Sequence, residues 1–342
     1  MKVIVFEAES YEEPIFSPLR RTHELRLISE PLRAINAAEY ADAEIISTFL
    51  YSELSRSVLE KLPAVKLIAT RSTGFDHIDT AYCTQRAITV SNVPSYGANT
   101  VAEHVFALLL AISHRLLEAV ERARTGPYTP KGLQGFDLEG KVLGVVGTGS
   151  IGRNVIRIGR GFGMTIIACD LKPDHELARK LGFRYEPLPE LLAAADVVTL
   201  HVPATPATRN LLSDNEFARM KTGVVLINTA RGTLINVRAL ITALRAGKVA
   251  AAGLDVLPDE PVIREEAELI CARFDDQVHL INVVADHVLL RMPNVVVTPH
   301  SAFNTREAVQ RIAETTMSNI TAFTEGRPQN TAIGNGVNPN RP

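Results

Sequence analysis

Cysteine is scarce: Cys83, Cys169 and Cys271 are the only three in 342 residues, unevenly spaced and in no C-x-x-C pair. A disulfide framework and a zinc site are both disfavoured, and a reducing cytoplasm is the expected compartment. Net charge is nearly absent too, since 36 Lys plus Arg stand against 38 Asp plus Glu for a total of −2. Nothing pulls the whole chain toward nucleic acid or an anionic membrane. Long apolar runs are missing: the longest, residues 105–112 (VFALLLAI), is flanked by His104 and by Ser113-His114-Arg115, well short of the ~18 residues of a membrane span. The N-terminus MKVIVFEAES offers only a four-residue apolar stretch before acidic residues arrive, too short for a signal h-region. With no internal repeat or low-complexity tract, a soluble globular protein is expected, and at about 150 residues per domain the length implies two domains.

What is present is alternation. Residues 2–6, 24–28, 44–49, 66–70 and 87–91 read as strands separated by helical patterns, which is the sign of a parallel, doubly wound sheet. Residues 98–117 form a long helix candidate, apolar on more than one face, with Asn99 or Thr100 as cap, and so expected to be buried. A second series of strands is expected near 142–146, 165–169, 196–200, 224–228, 249–255 and 294–298. The last helix, 305–324, follows that series and is free to return to the N-terminal half. The expected division is therefore a discontinuous domain of residues 1–98 plus 301–333, a second domain of 99–300, and a disordered tail from 334 to 342 rich in Asn, Gly and Pro.

The most informative stretch is 141–170, KVLGVVGTGSIGRNVIRIGRGFGMTIIACD. A buried strand runs directly into Gly147, Gly149 and Gly152. The first glycine permits a tight turn, the second lets the backbone approach a pyrophosphate, and the third lets the helix pack closely on its strand. The pyrophosphate would rest on free N–H groups at the start of a helix beginning near Ser150. Asp170 ends the next apolar run, eighteen residues after Gly152, where a carboxylate accepts hydrogen bonds from an adenosine ribose. That carboxylate would repel the extra phosphate of NADP, so NAD is the expected cofactor, with Lys172 close enough to soften the preference.

Four polar segments fall at strand ends of the second series: Asn228-Thr229-Ala230-Arg231-Gly232, Gly253-Leu254-Asp255, Asp259-Glu260-Pro261 and Thr298-Pro299-His300-Ser301. Taken singly, each has an ordinary structural explanation. Their order downstream of GTGSIG, with Arg71 to Asp79 (RSTGFDHID), Asn92 to Tyr96 (NVPSY) and Val101 to His104 (VAEH) upstream, closely resembles the D-isomer-specific 2-hydroxyacid dehydrogenases. The likeness covers residues 1 to about 333.

The resemblance implies two Rossmann-like domains with the active site in the cleft between them, and a homodimer built around the helix at 98–117. It also implies roles. Arg231 would grip the substrate carboxylate and its neighbouring carbonyl oxygen. His300 would give a proton when the keto group is reduced and take one in the reverse direction, with Glu260 fixing its tautomer and stabilising the imidazolium. Ser72, Thr73 and Gly74 would hold the carboxylate from the other domain. Ser150, Ile151, Val202, Pro203, Thr229, Ala230 and Asp255 would join Gly147, Gly149, Gly152 and Asp170 as cofactor contacts. No metal is implied.

Tyr96, Phe303 and the long stretch between Glu260 and His300 look most like the fermentative D-lactate dehydrogenase branch, where an aromatic wall suits a small side chain. Val262-Ile263 stand where an aromatic pair commonly follows the glutamate, which leaves a larger 2-keto acid open. The alternatives are a glyoxylate/hydroxypyruvate reductase, a phosphoglycerate dehydrogenase, disfavoured in its long form because the chain ends soon after the last helix, and a dinucleotide-sensing protein similar to the corepressors of this fold.

Overall fold

The computed structural model describes residues 1–258 and 285–333 and divides into two compact units, Met1–Tyr96 with the chain from Asn304, and Gly97–Phe303. In the first unit, β1 (Lys2–Val5), β2 (Glu24–Leu27), β3 (Ile45–Thr48), β4 (Leu67–Thr70) and β5 (Thr89–Ser91) are parallel, and β13 (Thr331–Ile333) closes one edge antiparallel to β5. The order is β13-β5-β4-β3-β1-β2. Successive side chains on a strand point to opposite faces, so each apolar run divides between two cores. Ile4, Phe6, Ile46, Ile68 and Val90 enter one, while Val3, Val5, Ile45, Leu67 and Ala69 enter the other beside Ala313 and Ile320 of the helix Arg306–Thr324. That helix starts on Thr305, whose side chain accepts the Ala308 N–H.

In the second unit every described strand is parallel: β6 (Val142–Val146), β7 (Thr165–Cys169), β8 (Arg184–Tyr185), β9 (Val197–Leu200), β10 (Val224–Asn228), β11 (Val249–Leu254) and β12 (Val295–Val297). Its order, β12-β11-β10-β9-β6-β7-β8, reverses direction between β6 and β9. Ligands of open α/β sheets gather at such a switch point, outside the carboxyl ends of the strands.

Two expectations need correction. The helix expected over 98–117 stops at Ser113; a second helix, Leu116–Thr125, leaves at 57° after Arg115 takes a left-handed φ of 48°. The cause is a crossing segment. Phe136 donates its N–H to the Ser113 carbonyl at 2.9 Å, and a Cβ on Gly135 would lie 1.8 Å from that same oxygen, so the last turn is occupied from outside. Neither Asn99 nor Thr100 caps the helix, because Gly97 stands at the cap position, Asn99 bonds Glu103, and Thr100 is buried. The strands β8 and β13 were not anticipated; two or three residues at a sheet edge leave too little periodicity to read. Among the described residues no single helix is long and apolar enough to cross a membrane. The expected tail from 334 to 342 lies outside the described residues.

Candidate active site

Among the described residues, each expected cofactor and catalytic segment of the second unit follows the carboxyl end of a strand. The glycine turn follows β6, Asp170 follows β7, Val202 and Pro203 follow β9, Thr229 to Arg231 follow β10, Asp255 follows β11, and His300 follows β12.

The turn after β6 is built by exclusion. Gly147 has φ 97°, and a Cβ there would lie 2.5 Å from the His201 carbonyl oxygen; a Cβ on Gly152 would lie 2.0 Å from the Gly147 carbonyl oxygen. Gly149 is different. A Cβ there would meet nothing within 4 Å, and as N-cap of the helix Ser150–Gly161 it supplies no side-chain cap. With no side-chain cap, the helix start keeps its first-turn N–H groups as donors for an anion.

Asp170 is fixed beside that turn. One carboxylate oxygen accepts the Thr148 N–H at 2.7 Å and the Thr148 hydroxyl at 2.8 Å, and the other accepts the Lys172 N–H at 3.0 Å. Partial burial opposes ionisation, but these donors hold the carboxyl below its usual range. Because the Thr148 proton goes to Asp170, the Tyr185 hydroxyl 2.9 Å away must donate to Thr148. Neither Thr148 nor Tyr185 was anticipated, since any residue fits the second position of G-x-G-x-x-G. Two buried polar atoms further along have no hydrogen-bond partner among the described residues: the Thr229 hydroxyl and Nδ1 of His201. Orphaned polar atoms and an uncapped helix start fit a polar cofactor such as NAD.

The loop after β10 is braced by Asn228, fully buried, whose side chain accepts the Ala230 N–H at 3.0 Å and donates to the Arg231 carbonyl at 2.9 Å. Arg231 itself donates to the Ala230 carbonyl at 2.8 Å. A Cβ on Gly232 would lie 2.1 Å from the Leu257 carbonyl carbon, so this loop packs backbone to backbone against the segment leading to Glu260. Glu260 lies outside the described residues.

His300 has φ 51°, left-handed backbone that costs a non-glycine residue on the order of 1 kcal/mol and marks a position fixed by its surroundings. Its N–H donates to the carbonyls of Asp255 and Thr298, both at 2.9 Å. The Asp255 carboxylate accepts the Ser301 and Ala302 N–H groups at 2.8 and 2.9 Å and the Thr298 hydroxyl, so it binds on either side of the histidine. Burial pushes its pKa up, but these donors and His104, whose Nε2 is 3.4 Å away, leave it lowered and the carboxylate ionised at neutral pH. His201 offers a contrast. Burial pulls its imidazole down to about 3, so it stays neutral and is a poor proton donor.

Ser72, Thr73, Gly74 and Tyr96 belong to the first unit. The Ser72 hydroxyl donates to the Gly74 carbonyl at 2.6 Å, and Thr73 ties the loop to the Val93 carbonyl at 2.7 Å. Beneath it Arg71 is fully buried, donating to the Phe6 and Glu7 carbonyls at 2.7 and 2.8 Å, with Glu12 3.2 Å from its Nε. Tyr96 accepts from Arg311 through its carbonyl. Phe303 is half-buried at the end of the second unit.

Residues 106–302 match the family model described as D-isomer specific 2-hydroxyacid dehydrogenase, NAD binding domain. Over 95% of its length the chain is 34% identical to D-lactate dehydrogenase of Escherichia coli, covering 98% of that protein, and over another 95% alignment it is 33% identical to glyoxylate reductase of Korarchaeum cryptofilum, covering 94%. The crystal structure of D-lactate dehydrogenase from Aquifex aeolicus, complexed with NAD and lactic acid, superposes with a TM-score of 0.83 at 33% identity, with 95% of this chain and 96% of that one covered. With a glycine turn, a fixed carboxylate and full-length similarity in agreement, the chain belongs to the D-isomer-specific 2-hydroxyacid dehydrogenases and is an NAD-dependent oxidoreductase with two Rossmann-like domains.

Proposed function

We propose that the protein reduces a small 2-keto acid, pyruvate first, to the D-2-hydroxy acid at the expense of NADH. The observation that carries this reading is the placing of Arg231 and His300 after β10 and β12, with Asp255 after the strand between them. The glycine turn after β6 and Asp170 would hold NADH, which would supply the hydride for the carbonyl carbon. Arg231 presents a planar fork of donors to the carboxylate and the neighbouring carbonyl oxygen, orienting the acid and drawing charge onto that oxygen. His300 delivers the proton to the developing alkoxide and recovers one in the reverse direction, with Glu260 orienting the ring. Ser72, Thr73 and Gly74 are assigned to the carboxylate, and Tyr96 and Phe303 to its small side chain.

Glyoxylate or hydroxypyruvate is the second reading, favoured by the similarity to the archaeal glyoxylate reductase. Initial rates of NADH oxidation with pyruvate, 2-ketoisocaproate, phenylpyruvate, glyoxylate and hydroxypyruvate separate the two. Highest kcat/KM on pyruvate supports the first; highest on glyoxylate or hydroxypyruvate replaces it.

The same reading makes the enzyme a cytoplasmic homodimer that binds neither nucleic acid nor membrane. Leu116, Leu117, Val120 and Tyr128 present exposed apolar surface on and after the helix Leu116–Thr125, which supports pairing of two copies.

Asp170 is assigned to the adenosine ribose hydroxyls, and a fixed anion there repels a ribose phosphate. NADPH should therefore be a much poorer reductant than NADH. Asp170→Ala should narrow the gap by roughly tenfold, about 1.4 kcal/mol, the scale of a charge pair largely screened by solvent. Equal efficiency of NADH and NADPH in the unaltered enzyme would show that assignment to be wrong.

A further inference from the structure

We propose that His104 is a positioning residue for this reaction, acting through Thr298 and Asp255 on the backbone that carries His300. The proposal rests on the reading of His300 as the proton donor and extends it to a residue in the helix Ala98–Ser113, some two hundred positions earlier in the chain.

His300 has an unusual, left-handed backbone. A left-handed residue without a glycine persists only where its neighbours over-determine it, and here Asp255 does so from both sides. Its backbone carbonyl accepts the His300 N–H, one carboxylate oxygen accepts Ser301, and the other accepts Ala302. The Asp255 side chain is 1% exposed, so water has almost no access to compete for these bonds. Asp255 must itself be held, and Thr298 and His104 supply the hold.

Counting protons gives the direction of that chain. An ionised carboxylate only accepts, so the single hydroxyl proton of Thr298 goes to Asp255. The Thr298 oxygen is then an acceptor toward His104, whose Nε2 lies 2.9 Å away. His104 must therefore carry its proton on Nε2. The relay runs His104 N–H to Thr298, Thr298 O–H to Asp255, with Ser301 and Ala302 completing the carboxylate. Ala102, Val105 and Leu109 of the same helix are apolar and lie in the core formed with the sheet; His104 instead reaches the loop of the proton donor through Thr298.

If the N–H is removed, the Thr298 hydroxyl loses its fixed orientation, Asp255 loses part of its donor set, and the Thr298–Pro299–His300 segment relaxes toward ordinary backbone angles. The imidazole then misses its productive alignment. The glycine turn after β6 and Asp170 are untouched.

His104→Leu removes the donor and His104→Gln keeps an N–H at nearly the same reach. His104→Leu is expected to lower kcat for keto-acid reduction about tenfold, as one lost hydrogen bond in a charged network would, while the Kd for NADH measured by fluorescence titration stays within about twofold. His104→Gln should recover most of the loss. Added to His300→Ala, His104→Leu should cost nothing more, because the two act through one group. Wild-type kcat in His104→Leu, or an equal loss in the Leu and Gln variants with weakened NADH binding, would overturn the proposal. If His104→Leu does not fold, nitrogen NMR of the histidine side chains in the unaltered enzyme decides: an Nε2–H tautomer at His104 supports the relay, and a bare Nε2 rejects it. A fully active His300→Ala variant would instead remove the reading beneath it, a result distinct from an inert His104→Leu beside an inactive His300→Ala.

Discussion

His300→Ala should lose roughly 10²- to 10⁴-fold in turnover in both directions, the range spanned by a well-placed general acid or base, with NADH binding nearly unchanged. The ring must be protonated to reduce the keto acid and neutral to oxidise the hydroxy acid. Reduction should therefore fall as pH rises, and oxidation should fall as pH is lowered. A neighbouring carboxylate favours the charged ring, so Glu260→Gln should move the fall of reduction to lower pH. The double variant should be little worse than His300→Ala alone, since both act on one proton transfer. Profiles of kcat/KM against pH for the three variants are the check. An unshifted profile in Glu260→Gln, or strictly multiplicative losses, would leave Glu260 a solvated loop residue.

Arg231→Lys is expected to cost about 2 to 4 kcal/mol in transition-state binding, roughly 30- to 1000-fold in kcat/KM, because an ammonium cannot offer two parallel donors to a carboxylate. The loss should appear with every 2-keto acid and leave the Kd for NADH unaltered. The Asn228 side chain and the close approach of Gly232 to Leu257, which brace this loop, are left in place by the substitution, while the bond from the guanidinium to the Ala230 carbonyl is altered. Near-wild-type kinetics would show that the guanidinium does not grip the substrate.

Much of the fold was legible because parallel strands buried on both faces read as continuous apolar runs, and β6 and β7 stop at the expected residues. The glycine turn was legible for a steric reason that the structure makes explicit, in that Gly147 and Gly152 have backbone oxygens where a Cβ would stand. The break at Arg115 was hidden because its cause, a segment crossing the helix end from residues 135–136, is far away in the chain. The relay through Thr298 was hidden for a related reason. His104 and Thr298 are ordinary residues whose chemistry exists only once β11, β12 and a helix are brought together. Asp255, expected as a cofactor contact, has its carboxylate committed to the segment around His300, something no spacing along the chain reveals.

The most direct test of the central claim is chiral analysis of the product when purified enzyme oxidises NADH in the presence of pyruvate. D-lactate in one-to-one stoichiometry with NADH consumed is the result predicted; L-lactate, or binding of NADH without turnover of pyruvate or any other 2-keto acid, would contradict it.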